Sequence, residues 1–347
     1  MSVTSSYEEL AHPDRLGRAL AAALADDRWL SPRVELVSGG KSNLTFRLSC
    51  EAGVLVLRRP PSGELLPKAH DMSREVRVQR ALWGTRVPVP PIALTDLDGE
   101  LLGVPCYVMR EVAGHVLRDE LPVGYAPGEA QRVAIADALV DVLADLHGTD
   151  PHAVGLAGHG RPEDFFARQL HVWQRQWQGS KTAEAPAVEA LLERLAQHPP
   201  GTGRVAIVHG DYRLDNCLMD PADPGRVAAV LDWELSTLGD PLADLGMLLF
   251  YWTQAGDPEP ALTPSLTAAP GFPPRRHLIE RYVTRTGTDV ADLLAWQAFA
   301  HAKFAVIAQG VWARATAGKM ADQDFGDLSN EVVRIAEAGL DLLDTEG

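Results

Sequence analysis

The run VHGDYRLDNCLMD, Val208 to Asp220, crowds Asp211, Asp215, Asn216 and Asp220 around His209 and Arg213. Such a run cannot be buried at no cost, because an unpaired charge loses its hydration. Apolar segments flank it. VAIV leads in, and VAAVL follows a short turn and ends in Asp232. The order reads as a strand, an acidic loop with Asp211 and Asn216, a small hairpin, and Asp232 at a strand end. Three oxygen-bearing side chains are therefore expected to converge from neighbouring strand ends. A hard divalent cation such as Mg²⁺ prefers oxygen ligands and keeps some of its water. Asn216 and Asp232 suit that role. Asp211 is then left to accept a proton from a hydroxyl. One base to orient a nucleophile, and a metal to neutralise phosphates, is what phosphoryl transfer requires.

The elements that must position these groups fall into two halves. Tyr7 to Ala25 has helical spacing. VELVSGGKSNLTFRLSC, Val34 to Cys50, reads as strand, glycine turn and strand, and Val54 to Arg59 as a third strand. Ser73 to Gly84 predicts a helix with Ser73 as N-cap. Two strands around the Asp98-Gly99 turn follow. Residues 33–112 thus give about five strands and one helix, antiparallel where hairpins join them. The rest is mostly helical. Gly128 to His147 places Ile135, Leu139, Leu143 and Leu146 on one stripe. Further helices are expected over Glu163 to Gln178, Ala187 to Gln197, and 275–287, 289–317 and 322–344. Asp240 and Pro241 open another, as N-cap and first-turn residue. The fold class is α+β, with an N-terminal helical extension over 1–32, a small lobe over 33–112 and a large lobe over 113–347.

Composition sets outer bounds. The chain has 347 residues, 46% hydrophobic, and a net charge of −15. Such acidity argues against nucleic acid and against an anionic membrane surface as partners. Cys50, Cys106 and Cys217 are far apart and form no C-x-x-C pair, so reduced thiols in a cytoplasmic protein are expected. The first twenty residues carry acids and no apolar core, unlike a secretory signal.

Asp211 and Asn216 keep the Asp-to-Asn interval of a kinase catalytic loop, and Asp232 follows at the place of the metal-binding Asp. HGDYRLDN followed by VLDWELSTLGDPLADLG resembles the aminoglycoside phosphotransferase and choline kinase group of the protein-kinase-like superfamily. The chain looks most like the branch associated with acyl-CoA dehydrogenases, from about residue 30 onward. The resemblance implies a two-lobed kinase-like fold, with ATP or GTP as co-substrate and Mg²⁺ as cofactor. SGGKSN would be the phosphate-covering turn, through Gly39, Gly40, Ser42 and Asn43. Arg58 stands where the nucleotide-anchoring Lys is usual, with Glu75 as its ion-pair partner. Met109 to Val112, with Glu111 among them, would be the hinge whose backbone bonds the adenine. Arg213 would stabilise charge on the transferred phosphoryl group.

Plainer roles suit other polar residues. His209 is expected to hold the loop through backbone bonds, His147 to pack at a helix end, and Asp244 to brace the catalytic loop as a buried acceptor. Glu234 is either close to the metal or solvated. Trp173 and Trp177 share a helix face and read as core, with an acceptor-pocket wall as the alternative. The resemblance places the acceptor across the 163–178 helix, with Arg168, His171, Trp173, Arg175 and Trp177. The 289–317 helix would add Trp296, His301, Lys303 and Trp312. The small hydroxylated acceptor is expected to be a hydroxyacyl-CoA or hydroxy acid, with an aminoglycoside as the alternative. A nucleotide- or ligand-binding pseudokinase stays open, because Arg58 departs from the usual Lys.

Overall fold

The computed structural model describes residues 9–39, 43–61, 71–201, 203–318 and 327–345. Its contacts divide the chain into two compact units. One holds Met1–Gly114 together with Ala228–Ser236, and the other holds His115–Val227 and Thr237–Gly347. The short segment bearing Asp232 thus joins the first unit.

In that unit, β1 (Arg33–Gly39), β2 (Leu44–Cys50), β3 (Gly53–Arg59), β4 (Ile92–Asp96) and β5 (Cys106–Arg110) form one antiparallel sheet of order β1-β2-β3-β5-β4. Side chains on a strand alternate between faces, and both faces here are covered. Phe46, Leu48, Leu55, Leu57 and Val108 pack with Leu16 and Leu20 of α1 (Pro13–Leu24). Tyr107 and Met109 pack on the other side with Met72 and Val76 of α2 (Met72–Leu82). Arg58, one residue out of step with Leu57, therefore emerges on the face that carries α2. The pattern behind this sheet was legible because its hairpins are local.

Helix starts differ from the expected ones for local reasons. The helix expected from Tyr7 begins at Pro13. The ring of Pro13 disfavours helical backbone at the preceding residue, and His12 takes φ 43°. Asp71, rather than Ser73, caps α2, its Oδ1 accepting the Ser73 N–H at 3.0 Å. Pro241 takes the N-cap position expected for Asp240, and Asp240, one residue earlier, accepts the Leu242 N–H at 2.8 Å.

The second unit is mainly helical: α3 (Glu129–Gly148), α4 (Phe165–Ser180), α5 (Pro186–Gln197), α6 (Leu242–Tyr251), α7 (Arg275–Thr286), α8 (Leu293–Thr316) and α9 (Ser329–Asp344). α8 is buried along most of its length, touching α4, α5, α6 and α9. α6 approaches it at Gly246, where an added Cβ would stand 2.8 Å from the Trp296 backbone. α3 and α7 are joined by a ladder. Asp137 meets His277 at 2.7 Å, Asp141 meets Arg281 at 2.7 Å, and Asp145 meets Arg285 at 3.1 Å. Acceptors and donors both recur every four residues, so the ladder sets the register of two parallel helices. β6 (His115–Val116) pairs with β8 (Cys217–Met219), and β10 (Thr237–Gly239) with β7 (Ala206–Val208). β7 delivers the chain into His209–Asp211. No described helix is long and apolar enough to cross a membrane. The three cysteines are free thiols.

Candidate active site

Two clusters of charged residues emerge, one in each unit. In the first unit, Arg58 at the end of β3 lies 2.9 Å from Glu75 Oε2 and 3.2 Å from Asp232 Oδ1. Glu75 is 1% exposed and receives the Tyr107 hydroxyl at 2.7 Å and the Asn43 amide at 3.2 Å. The Gln79 amide in turn donates to the Tyr107 oxygen at 3.1 Å. Burial disfavours the Arg58 charge, but Tyr107, Glu75 and Asp232 outweigh it and hold the guanidinium pKa above its ordinary value. Burial pushes the Glu75 carboxyl up, against the pull of Arg58. The pair is thus a charged brace anchored by α2, not a surface ion pair.

Asp232 sits in left-handed backbone, φ 65°, directly after β9 (Val227–Val230) and Leu231. Few residues other than Gly, Asn and Asp tolerate that conformation. It opens a 3₁₀ turn, Trp233–Leu235, anchored by the fully buried Trp233. Glu234 receives the second bond of the Asn43 amide at 3.3 Å. Among the described residues Asn43 Oδ1 finds no hydrogen-bond partner.

Of the residues expected around the nucleotide, Gly40 and Ser42 lie outside the described residues, and Gly39 ends β1. Met109 is a buried core side chain in β5, and Glu111, just past the strand, pairs with Arg47 at 2.7 Å.

In the second unit the chain turns sharply after β7. Asp244, fully buried near the start of α6, accepts the N–H groups of His209 at 2.6 Å and Gly210 at 2.7 Å. His147 Nε2 reaches the same carboxylate at 3.2 Å, and its Nδ1 meets the Tyr282 hydroxyl at 2.8 Å. Asp244 braces the loop as expected. His147 does more than pack, since it orients that brace. His209 also acts as expected: its Nδ1 accepts the Asp211 N–H at 3.2 Å. That bond makes Nδ1 the unprotonated nitrogen.

The held loop presents Asp211, whose side chain is 20% exposed. Tyr251 donates to Oδ1 at 3.2 Å, and the Asn216 amide donates to Oδ2 at 3.1 Å and to the Asp211 carbonyl at 2.8 Å. Burial raises the Tyr251 phenol well above its ordinary pKa, so it stays a donor. With both amide protons of Asn216 turned to Asp211, its carbonyl oxygen remains to take a cation. Arg213 Nε lies 3.3 Å from Asp211 Oδ2 and 3.2 Å from Asp215 Oδ1, its guanidinium 4.8 Å from the Tyr251 ring centroid. Asp215 is buried, which raises its carboxyl pKa against the pull of Arg213. Among the described residues no cluster of three or more His, Cys, Asp or Glu could hold a metal by itself. An Asn-and-Asp ligand set falls outside that pattern.

The helices expected to hold an acceptor contribute both buried and half-buried side chains. Trp177 and Trp296 are each 1% exposed, and Trp296 packs edge-on against Phe166 at 5.2 Å. His301 is half-buried and bonds the Gln297 carbonyl at 2.8 Å, and desolvation pushes its imidazole pKa down to about 4. Trp173, by contrast, is half-buried and stands 5.7 Å from the Lys303 ammonium. Tyr251, Asp215 and Arg118, 3.8 Å from Asp215, were not among the expected site residues. Tyr251 belongs to an apolar helix, where a phenol reads simply as core.

Residues 33–278 match the model of a phosphotransferase enzyme family (APH). The rat acyl-CoA dehydrogenase family member 11 is 39% identical over 308 residues, covering 87% of this chain and 39% of that protein. The chain thus spans about two fifths of that curated relative. A Ralstonia eutropha structure provisionally labelled an aminoglycoside phosphotransferase superposes with a TM-score of 0.78 at 35% identity, covering 90% of this chain and 93% of that one. A thermostable mutant of aminoglycoside phosphotransferase APH(4)-Ia, in complex with ADP and hygromycin B, shares the fold at 17% identity and a TM-score of 0.58. That match covers 94% of this chain and 98% of that one.

Proposed function

Since this chain belongs to the phosphotransferase enzyme family, we propose that it is a small-molecule kinase. It would move the γ-phosphoryl group of ATP or GTP to a hydroxyl of a small acceptor. The observation that carries the reading is Asp211, a partly exposed carboxylate on a loop pinned by Asp244 and oriented by Tyr251 and Asn216. A base so placed can align a hydroxyl and take its proton as the oxygen attacks phosphorus. Arg58, braced by Glu75, is the proposed grip on the nucleotide phosphates, with Gly39, Gly40, Ser42 and Asn43 over them. Backbone at Met109 and Glu111 would meet the base. Arg213 would offer charge to the transferred group. On sequence spacing, Asn216 and Asp232 are the proposed Mg²⁺ ligands. Their oxygens suit a hard cation, which when bound neutralises phosphate charge.

For the acceptor, similarity to the acyl-CoA dehydrogenase family members supports a hydroxyacyl-CoA or hydroxy acid. A structural neighbour that binds hygromycin B keeps an aminoglycoside as the alternative. A second reading has its own observation. Arg58 stands where the resemblance expects a nucleotide-anchoring Lys, and its guanidinium is already engaged by Glu75 and Asp232, which supports a ligand-binding protein without turnover.

Thermal shift with Mg²⁺-ATP and Mg²⁺-GTP tests nucleotide binding first, because a ligand of the native state raises the melting temperature by mass action. ADP or GDP release is then followed with hydroxyacyl-CoA thioesters, hydroxy acids and kanamycin-type sugars. Turnover of at least one hydroxyacyl-CoA thioester or hydroxy acid is expected. Turnover of the sugars alone would refute the acceptor, and nucleotide binding without any turnover would favour the second reading. Asp232→Ala is expected to weaken Mg²⁺-nucleotide far more than metal-free nucleotide. Calorimetry with and without EDTA decides, and equal losses in both would remove Asp232 from the metal.

A further inference from the structure

Lys303 lies on α8 with its residue 8% exposed. Its ammonium donates to the Gly210 carbonyl at 2.8 Å and faces the Trp173 ring at 5.7 Å. An ammonium has three donors, and the carbonyl uses one. Among the described residues no carboxylate comes within salt-bridge range of it. Burial pulls its pKa below the ordinary lysine value, while Asp211 and Asp244 act from farther away to support the charge. Those two acids are already bonded to Tyr251, Asn216, His209 and Gly210.

Buried charges are normally paired, because desolvating an ion without a counter-ion is costly. Arg58, the comparable cation of the first unit, has two carboxylates within 3.2 Å. Lys303 has one carbonyl and one aromatic face. Its carbonyl belongs to the residue directly before Asp211, so whatever completes its coordination lies beside the proposed base. Resting on the kinase reading above, we infer that Lys303 is the anion-binding residue of the acceptor site. The acceptor then carries a carboxylate or phosphate close to the hydroxyl that is phosphorylated.

Lys303 narrows the substrate class. A polycationic sugar would meet Lys303 with like charge. A thioester presents a neutral carbonyl at that place and leaves two ammonium protons poorly matched. A free hydroxy acid or a hydroxylated phosphate ester supplies the missing counter-charge, and Trp173 gives it an apolar wall.

The test uses the full chain and paired probes: γ-hydroxybutyrate with its amide, and glycerol phosphate with glycerol. Each is titrated with and without a non-hydrolysable Mg²⁺-ATP analogue, by thermal shift and calorimetry. One or both anionic members should bind at least about tenfold more tightly than their neutral partners, as a charge-assisted hydrogen bond allows. Which pair responds separates carboxylate from phosphate. Lys303→Met should abolish the anionic preference while keeping the response to nucleotide, which also verifies folding. Lys303→Arg should restore part of the preference. Equal binding within both pairs, no binding of any probe, or a preference that survives Lys303→Met would each overturn the inference. So would loss of the nucleotide response alone, in a variant as stable as the parent, since Lys303 would then serve the nucleotide. Absence of a nucleotide response in the unaltered protein would instead strike the kinase reading, and the nucleotide-free titrations would still report on Lys303.

Discussion

Asp211→Asn should leave nucleotide binding intact and lower turnover by about 10²- to 10⁴-fold, the usual cost of losing a general base. The substitution changes little else. Oδ2 of Asp211 receives donors from Asn216 and Arg213, so the asparagine carbonyl oxygen will take that side. Its NH₂ then faces the Tyr251 oxygen, which can accept as well as donate. Packing and loop geometry are thus retained, and the loss falls on proton acceptance. Steady-state ADP release, set beside the nucleotide-induced thermal shift of the same preparation, measures both halves of this expectation. Turnover at the parent rate, with a verified acceptor, would show that the base lies elsewhere.

The second large effect is on stability. Asp244→Ala removes the acceptor of two backbone N–H groups and of His147; the His209 and His147 bonds are buried and the Gly210 bond partly so. Each orphaned buried donor costs about 1–3 kcal/mol, and breaking a buried charged network about 3–5 kcal/mol. A loss of roughly 3–5 kcal/mol in denaturant unfolding is expected. Activity should fall with it, because the loop carrying Asp211 hangs on this carboxylate. A loss under about 1 kcal/mol, near the net value of one ordinary hydrogen bond, would refute the bracing role.

The same carboxylate has a pH signature. Burial would raise its pKa, but the hydrogen bond and charge of His147, with His209, more than reverse this and hold it below the ordinary value. A depressed folded-state pKa contributes stability that is fully present above the unfolded value of about 3.9 and fades as pH falls through the folded one. The stability gap between the parent protein and Asp244→Ala should therefore narrow in acid, below about pH 4.

Asp211 and Asn216 could be read from the chain because their chemistry is local. They stand five positions apart, and the bonds at 2.8 and 3.1 Å follow from that spacing on a tight loop. The sheet of the first unit was readable for the same kind of reason: strand alternation and hairpin turns act over a few residues. Arg58 and Glu75 were paired by resemblance, and the ion pair at 2.9 Å is there. Local pattern could not supply the partners of long separation. Asp232 meets Arg58 across 174 positions, Lys303 meets Gly210 across 93, and Tyr251 meets Asp211 across 40. Periodicity marks a helix face as apolar but does not say which polar residue on it will find a partner. Lys303 was visible only as a charge on a long helix, and Tyr251 only as one more aromatic in α6. Their roles arise when α6 and α8 pack closely at Gly246, and close packing forces every buried donor and acceptor to find a mate. What the sequence determined by itself is the pairing of Asp211 with Asn216, their loop and the strands around it. Tertiary packing alone decided which distant side chains hold Asp211 in place, and which buried cation is left short of a counter-ion.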